Sequence, residues 1–273
     1  GGWYQSPARR RCDKLGAMTA ALLLLALAAP APAASPRLVL VGGGERPKAA
    51  LERFVDWAGG PKARVLVLGW ASSEPAAAAV LADEMRPFGP TSLDAIASTA
   101  SVAGFARLLS SATGVFFTGG DQVRLMAAVD AAGLAERLRA MSKAGVVFGG
   151  TSAGTAVMSP VMITGEGDFT LLDGAKVATA PGLGLLPGTI VDQHFIKRQR
   201  QNRLFGLVTA SPGVLGLGVD EDTALLVDGT SAECVGATAV MAVTSPRPGA
   251  WQVELVPSGA RYDLAARKLL TSR

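Results

Sequence analysis

The chain has 273 residues, of which 49% are hydrophobic and 18% are charged, and its formal net charge is +4. This length and apolar content fit one large globular domain and exclude a disordered chain. Residues 1–34 hold four basic residues and one acidic residue, so residues 35–273 carry a net charge of only about +1. Because this charge is so small, composition gives no support for nucleic-acid binding, and we expect no nucleic-acid partner.

The first 34 residues have the pattern of a secretory signal peptide. A basic head precedes an uninterrupted apolar run over residues 20–29, and an Ala-Pro-Ala sequence follows. The run is shorter than the about 20 residues of a membrane-spanning helix, and a membrane anchor or a core helix is the alternative. The chain does not begin with Met, and a start at Met18 would remove the basic head. We predict a signal peptide over residues 1–34, one domain over residues 35–273, a secreted or periplasmic location, and no membrane association after cleavage.

From residue 35 onward, apolar runs alternate with stretches of helical spacing. The apolar runs predict strands at residues 37–41, 64–68, 91–96, 115–117 and 146–148. The intervening stretches predict helices at residues 47–57, 75–87, 102–111 and 122–140. Strands that alternate with helices in this way form a mostly parallel sheet that is covered on both faces.

The last third of the chain has a different pattern. It predicts strands with tight connections at residues 215–219, 223–227, 237–243 and 252–256. Because tight connections join antiparallel strands, we expect an antiparallel extension of the parallel sheet rather than a second domain. The predicted fold is therefore an α/β three-layer sandwich with a mostly parallel central sheet and a C-terminal antiparallel extension.

A serine and the only histidine of the sequence are candidates for nucleophilic catalysis. Residues 150–154 read Gly-Thr-Ser-Ala-Gly after a predicted strand, which is the context of a G-x-S-x-G nucleophile. A serine nucleophile needs a base, and the one available histidine is His194. We therefore pair Ser152 with His194, and the Ala153 N–H becomes a candidate oxyanion-hole donor. The alternative is a glycine-rich turn that binds a phosphate or nothing.

The residues alone leave open which acid orients the histidine. The candidates are Glu166, Asp168, Asp173, Asp192, Asp220 and Glu221. Strand alternation sends Asp220 and Glu221 to opposite sides, so we expect one of them to reach the imidazole and the other to face solvent. A solvated strand end is the alternative for both.

A second glycine-rich turn ends another predicted strand. Residues 118–122 read Thr-Gly-Gly-Asp-Gln and precede a predicted helix. Because the carboxyl ends of parallel strands meet at one sheet edge, we expect this turn beside the serine turn. Gly120 is then a second candidate oxyanion-hole donor, and Gln122 is a candidate to hydrogen-bond a substrate. A simple tight turn is the alternative.

Three arginines, Arg198, Arg200 and Arg203, follow the histidine. In a helix over residues 195–208, Arg200 and Arg203 would share a face and Arg198 would lie on another. Guanidinium groups beside a serine site favour substrates with carboxylates, and a solvated basic helix is the alternative. With one histidine, and Cys234 as the only cysteine outside the predicted signal peptide, we expect no metal, no cofactor and no intrachain disulfide.

Taken together, these motifs resemble the cyanophycinases and their relatives, serine peptidases that include aspartyl dipeptidases. The matching segments are residues 41–44, 117–122, 150–154 and 192–195, the three arginines, and residues 220–224. The resemblance implies a nucleophile at Ser152, a base at His194 and an orienting acid at Glu221. It also implies substrate-pocket roles for Gln122, Asp192, Gln193, Arg198, Arg200 and Arg203.

For function, the resemblance implies hydrolysis of the β-aspartyl-arginine linkages of cyanophycin to dipeptides through an acyl-enzyme. The implied substrate is a peptide or polypeptide rich in aspartate and arginine, and the implied assembly is a homodimer. Thr155, Gln199 and Gln201 depart from the family pattern and leave the preference for the polymer open. Two alternatives are an exported aspartyl or isoaspartyl dipeptidase that does not act on the polymer, and a non-catalytic periplasmic protein that binds anionic peptides.

Overall fold

A computed structural model of the protein describes residues 35–97, 102–167, 170–247 and 249–270. The predicted signal peptide lies outside the described residues, and the domain boundary at residue 34 stays a prediction. The strands are β1 Arg37–Val41, β2 Arg64–Leu68, β3 Ser92–Ile96, β4 Gly114–Phe117, β5 Val147–Thr151, β6 Val161–Gly167, β7 Val177–Pro181, β8 Thr189–Gln193, β9 Leu215–Val219, β10 Thr223–Asp228, β11 Ser231–Gly236, β12 Ala239–Arg247, β13 Ala250–Pro257, β14 Arg261–Asp263 and β15 Lys268–Leu270. The α-helices are α1 Lys48–Trp57, α2 Ala77–Met85, α3 Val102–Ser111, α4 Gln122–Ala131, α5 Ala135–Lys143, α6 Ala153–Ala156 and α7 Gln201–Ala210.

Among the described residues, the main sheet has nine strands in the order β15-β14-β11-β10-β1-β5-β4-β2-β3. Strands β1, β5, β4, β2 and β3 pair in parallel. Strands β10, β11, β14 and β15 continue the sheet in antiparallel pairing beyond β1. The predicted α/β fold, with a mostly parallel sheet and a C-terminal antiparallel extension, is confirmed.

In the parallel half of the main sheet, β1, β5, β4 and β2 are buried on both faces, and the edge strand β3 is only partly buried. In β1, Leu38 and Leu40 belong to one core cluster, and Val39 and Val41 belong to the other. Helices α1 and α2 contribute to the cluster of the two valines, and helices α3 to α6 contribute to the cluster of the two leucines. This alternation explains why the strand is a continuous apolar run, because successive side chains enter opposite layers.

The predicted C-terminal strands divide between two sheets. Strands β8, β9, β12 and β13 form a separate sheet of four, in which β8 and β9 are parallel. Of the four predicted C-terminal strands, only residues 223–227, observed in β10, extend the main sheet, so the expectation is wrong for the other three. In β9, a Cβ at Gly218 would clash with the Phe195 ring, and one at Gly216 would lie 2.8 Å from Val208 of α7. The two glycines thus let the chain after β8 and helix α7 pack directly on the second sheet.

Two predicted helices have different bounds in the structure. The stretch 122–140 forms α4 and α5 instead of one helix, because Gly133 has a φ of 63° and ends the first helix. The stretch 195–208 is helical only from Gln201 onward, and Gln199, with a φ of 51°, lies in the preceding turn. Within the described ranges, no helix is long and apolar enough to cross a membrane.

Candidate active site

Ser152 lies in a strained turn at the carboxyl end of β5. Its φ of 52° and ψ of −110° are unusual for a residue with a side chain, and such strain is typical of functional positions. The Ser152 N–H donates to Val41 O at 3.0 Å, which ties the turn to β1. A Cβ at Gly150 would clash with the backbone of Gly154, so the sharp return of the chain into α6 requires glycine. The predicted strand–turn–helix context of the serine is therefore present.

The structure brings Ser152, His194 and Glu221 into one chain of hydrogen bonds. Ser152 Oγ lies 2.8 Å from His194 Nε2, and His194 Nδ1 lies 2.6 Å from Glu221 Oε1. A carboxylate only accepts hydrogen bonds, so we assign the imidazole proton to Nδ1 and the lone pair to Nε2. In this tautomer, the imidazole accepts the serine proton, which is the arrangement that activates a serine nucleophile.

The loop after β1 holds the histidine in place. The His194 N–H donates to Gly42 O at 2.7 Å, and Asp222 N–H donates to Gly43 O at 2.9 Å. Gly43 has a φ of 113°, and a Cβ at this position would clash with the imidazole. Three glycines follow β1, and such a run is a sequence signal of close backbone approach, which Gly43 makes here to the imidazole.

The electrostatic environment lowers the pKa of His194. Burial is the main cause because it disfavours the charged imidazole, and the positive charges of Arg198 and Arg200 act in the same direction. The hydrogen bond that His194 donates to Glu221 opposes them. The lowered pKa keeps His194 neutral near pH 7, in the form that accepts a proton.

Of the acidic candidates, Glu221 contacts the histidine. Asp220 does not face solvent as expected: it is buried, and its Oδ1 accepts from the N–H groups of Ile196 and Lys197 at 3.0 and 2.9 Å. It therefore caps the turn that follows His194. Glu166 has an exposed side chain, Asp173 accepts from Ala175 N–H at 2.9 Å, and Asp168 lies outside the described residues.

The second glycine turn lies next to the serine, since β4 and β5 are parallel neighbours. A Cβ at Gly119 would be 3.5 Å from the Cβ of Ser152. Gly120 has a φ of 136°, and a Cβ there would clash with Ala71 O. Ala153 is the first residue of α6, so its N–H has no carbonyl one turn earlier to receive it. Both predicted oxyanion-hole residues thus belong to turns that flank Ser152.

The three arginines differ sharply in their surroundings. The Arg198 side chain is 53% exposed, and its Nε lies 3.7 Å from Glu221 Oε1. The Arg200 side chain is 17% exposed, and its Nη1 donates to Gln193 O at 2.8 Å and also to Gln193 Oε1. Burial, together with the charge of Arg203, lowers the pKa of Arg200 to about 10. Only Arg198 is thus well exposed beside the hydrogen-bonded chain of Ser152, His194 and Glu221.

Arg203 lies in the interior and pairs with Asp192. Its side chain is 1% exposed and that of Asp192 is fully buried. Arg203 Nε donates to Asp192 Oδ2 at 2.7 Å, and its Nη2 donates to Asp192 Oδ1. This pair holds helix α7 against the end of β8. The Arg203 side chain therefore faces neither solvent nor a substrate, in contrast to both expectations.

Gln122 is buried at the start of α4. Its Nε2 donates to Ile163 O at 2.7 Å and to Thr164 O at 2.9 Å, so the side chain ties α4 to β6. Thr155, which departs from the family pattern, is buried, and its Oγ1 lies 2.6 Å from Val41 O and 2.8 Å from Gly150 O. It links β1 to β5 beneath Ser152. In the part of the chain that the structure describes, no three histidine, cysteine, aspartate or glutamate side chains are grouped as metal ligands.

Solved structures with a similar fold include two peptidases. A peptidase from an acI-B1 actinobacterium aligns with a TM-score of 0.64 and 20% sequence identity, over 85% of this chain and 98% of that one. A putative peptidase E from Listeria monocytogenes aligns with a TM-score of 0.56 and 15% identity, over 75% of this chain and all of that one. At these identities the likeness shows a shared fold.

Sequence comparison finds curated relatives with higher identity. Cyanophycinases from Synechococcus elongatus and from a Nostoc species are each 38% identical to this chain, over 204 and 202 residues. The matches cover 71% and 70% of this chain, and 63% and 68% of the two relatives. The chain thus spans less than two thirds of the Synechococcus relative. The model of Peptidase family S51 matches residues 38–235. The resemblance seen in the motifs is confirmed, and the chain belongs to peptidase family S51.

Proposed function

We propose that this chain is a serine peptidase that hydrolyses cyanophycin to β-aspartyl-arginine dipeptides. The observation that carries the proposal is the continuous hydrogen-bonded chain from Ser152 Oγ through His194 to Glu221, with distances of 2.8 and 2.6 Å. The substrate is carried over from the curated relatives, which are cyanophycinases. The arginines beside the histidine support an anionic substrate group.

In the proposed mechanism, Ser152 Oγ attacks the carbonyl carbon of the scissile amide while His194 Nε2 takes its proton. Glu221 holds the imidazole in the required tautomer and stabilises the imidazolium that forms. The N–H groups of Gly120 and Ala153 stabilise the oxyanion of the tetrahedral intermediate. His194 then protonates the leaving amine, and a water that gives its proton to His194 releases the acyl group from Ser152.

The products decide which amide is cleaved. Hydrolysis of the β-aspartyl–arginine linkage itself would release free arginine, whereas release of intact dipeptides requires cleavage of the amide that joins one unit to the next. We therefore refine the expected reaction to cleavage between units. Both the scissile bond and the retained β-aspartyl linkage then pass close to Ser152.

The six predicted pocket residues divide into two groups by burial. Arg198 has the exposed guanidinium, and we assign it to the carboxylate of the substrate. Arg200 is partly exposed and is held by Gln193, so it contributes positive charge from a fixed position. Asp192 and Arg203 support this region from the interior. Gln122 positions the segment of β6 beside the site through its amide nitrogen.

The deciding experiment is incubation of the purified protein with insoluble cyanophycin and identification of the products by mass. We expect β-aspartyl-arginine dipeptides from the parent protein and none from Ser152→Ala. Free arginine as the main product would contradict the assignment of the scissile bond. Dipeptide release at the parent rate by Ser152→Ala would exclude the mechanism.

Two further experiments separate the alternative functions. A dipeptidase would cleave short aspartyl or isoaspartyl peptides and leave the polymer intact, so both substrates are compared at equal bond concentration. A binding protein would not react with a fluorophosphonate, whereas we expect covalent labelling at Ser152. Since the Thr155 hydroxyl hydrogen-bonds the backbone of β1 and β5, its departure from the family pattern favours neither alternative.

Export and dimer formation belong to the same proposal. Export is supported by the sequence of residues 1–34, and it predicts a mature N-terminus close to residue 35 in protein recovered from the periplasm or medium. A homodimer is carried over from the resemblance to the family. Light scattering coupled to gel filtration tests it, and a monomeric mass at micromolar concentration would contradict it.

A further inference from the structure

A pocket of about 300 Å³ opens beside Ser152, on the side of the site that β2, β4 and α2 form. Gly119 and Thr151 line it, and Thr151 is the residue immediately before the serine. Its outer part is lined by Glu74, from the loop before α2, and by Arg46, from the loop after β1. We name it the Glu74 pocket. A Cβ at Gly119 would be 3.5 Å from the Cβ of Ser152, so the pocket lies next to the nucleophile, and the arginines that follow His194 do not line it.

The charges of this pocket are unbalanced in favour of a cation. Arg46 Nε donates to Glu84 Oε2 at 2.7 Å, and its Nη2 pairs with the other oxygen of the same carboxylate, so its charge is already matched. Glu74 is exposed, and within the described ranges its carboxylate forms no ion pair. A ligand with a positive group therefore gains a partner at Glu74 without displacing one.

The walls of the pocket are suited to a long side chain. Val80 and Leu81 of α2 provide aliphatic surface, and Val80 is 54% exposed. At the inner wall, the hydroxyl of Thr118 is buried and has no hydrogen-bond partner in the described residues. An unpaired buried hydroxyl is unfavourable, and a polar group of a ligand would satisfy it. The combination is an aliphatic wall with one unpaired carboxylate at the rim and one unpaired hydroxyl inside.

The two sides of Ser152 therefore carry opposite charge. Arg198 and Arg200 lie on the histidine side, and Glu74 lies on the α2 side. Arginine with a free α-carboxylate carries both charges, a guanidinium at the end of an aliphatic chain and a carboxylate. A substrate with such groups next to the scissile bond matches this distribution, whereas a purely anionic peptide matches only one side.

We propose that the Glu74 pocket is the subsite for a guanidinium side chain of the substrate, with Glu74 as its charge partner and with α2 packing against its aliphatic part. This assignment rests on the proposed function because it takes the substrate to contain arginine branches. It adds a specificity determinant for arginine outside the residues that the family resemblance identifies.

The test uses binding and does not depend on turnover. The probes are Nα-acetyl-arginine amide and Nα-acetyl-citrulline amide, which have nearly the same shape but differ in charge. They are titrated by NMR into the full chain carrying Ser152→Ala. We expect the arginine probe to bind about fivefold more tightly, the order expected for one partly exposed ion pair. We expect Glu74→Gln to remove this preference, and Glu74→Lys to reverse it.

The matched control is Glu52→Gln, which neutralises an exposed carboxylate on α1 that does not line this pocket. It retains the preference for arginine. Equal binding of both probes, or a preference that survives Glu74→Gln, would overturn the assignment. Failure of the parent protein to hydrolyse cyanophycin would instead contradict the proposed function, and the binding result would stand on its own.

Discussion

Two polar networks begin at the end of β8, and they differ in their exposure. His194 joins Ser152 and Glu221 at the rim of the site, where the Glu221 side chain is 23% exposed. Two residues earlier, Asp192 is fully buried in its ion pair with Arg203. The first network, here called the rim network, consists of Ser152, His194 and Glu221, and the pKa of its histidine responds to neighbouring charges. In the second network, Asp192 and Arg203 hold each other in place in the interior. We propose that the network of Ser152, His194 and Glu221 performs the chemistry and that the pair of Asp192 and Arg203 maintains position.

The largest effect is expected from variants that break the rim network. We expect Ser152→Ala or His194→Gln to lower kcat by about 10⁴-fold or more, because nucleophile and base act as one unit. Their midpoints of thermal unfolding should stay close to that of the parent. Initial rates of dipeptide release and calorimetry measure the two properties. A large loss of stability in Ser152→Ala would show that this network is also structural.

The next largest effect is expected from a variant that breaks the buried pair of Asp192 and Arg203. Arg203→Met leaves Asp192 buried without its main partner, and we expect a loss of about 3–5 kcal/mol in the free energy of unfolding. Urea denaturation measures it. The matched control is Arg37→Met, which removes a pair with Asp228 whose side chains are 45% and 48% exposed, and we expect a cost of about 0–1 kcal/mol. Similar costs for both variants would remove the distinction between rim and interior.

A third variant tests how the backbone positions the rim network. Gly43→Ala places a methyl group against the His194 ring, and we expect kcat/KM to fall by about 100-fold, the effect of an ångström-scale misplacement. The control is Gly89→Ala, whose φ of 68° is also positive but which has open space around it. Both variants carry the strain of a positive φ, so equal kinetic losses would argue against a contact with the imidazole.

The smallest effect sharpens the electrostatic part of the comparison. Because the pKa of His194 is lowered, the acid limb of kcat/KM should lie below the ordinary histidine pKa of about 6.5. Arg198 lowers this pKa, so Arg198→Gln should move the limb to higher pH and reduce activity on the acid side. Lys197→Gln, which removes an exposed charge next in sequence, is the control. If the acid limb does not move in Arg198→Gln, the charge of Arg198 does not lower the pKa of His194.

The sequence predicted those elements whose pattern reflects local burial. Strands β1 and β2 were predicted with their observed bounds because both of their faces are buried, which makes a continuous apolar run. Helix α3 was also predicted with its observed bounds. The same reasoning predicted one helix in place of α4 and α5, because the helical spacing of apolar residues was given more weight than Gly133 between them. It also missed β6, β7, β8, β11, β14 and β15, although β8 is fully buried.

The sequence singled out the three residues that the structure joins by hydrogen bonds, Ser152, His194 and Glu221. One histidine and a G-x-S-x-G turn limited the choice of base and nucleophile, and the family resemblance selected Glu221 among the acids. The surroundings of these residues were not predictable in this way. Arg198 and Arg203 are the same residue type, so the sequence does not show that Arg198 is exposed and Arg203 is buried. Glu74 belongs to no motif, and it comes near Ser152 only when α2 packs against β2 and β3 and the loop before α2 lines a pocket with Gly119 and Thr151.

By itself, the sequence determined the parallel strands of the main sheet and which side chains are able to act as nucleophile and base, because backbone periodicity and proton chemistry are properties of a short segment. Only the tertiary structure decided which charges are buried, which carboxylate contacts the imidazole and which cavity lies beside the serine. Those outcomes depend on residues far apart in the chain, such as His194 and Gly43. Strand pairing brings these two residues together and excludes solvent from around them.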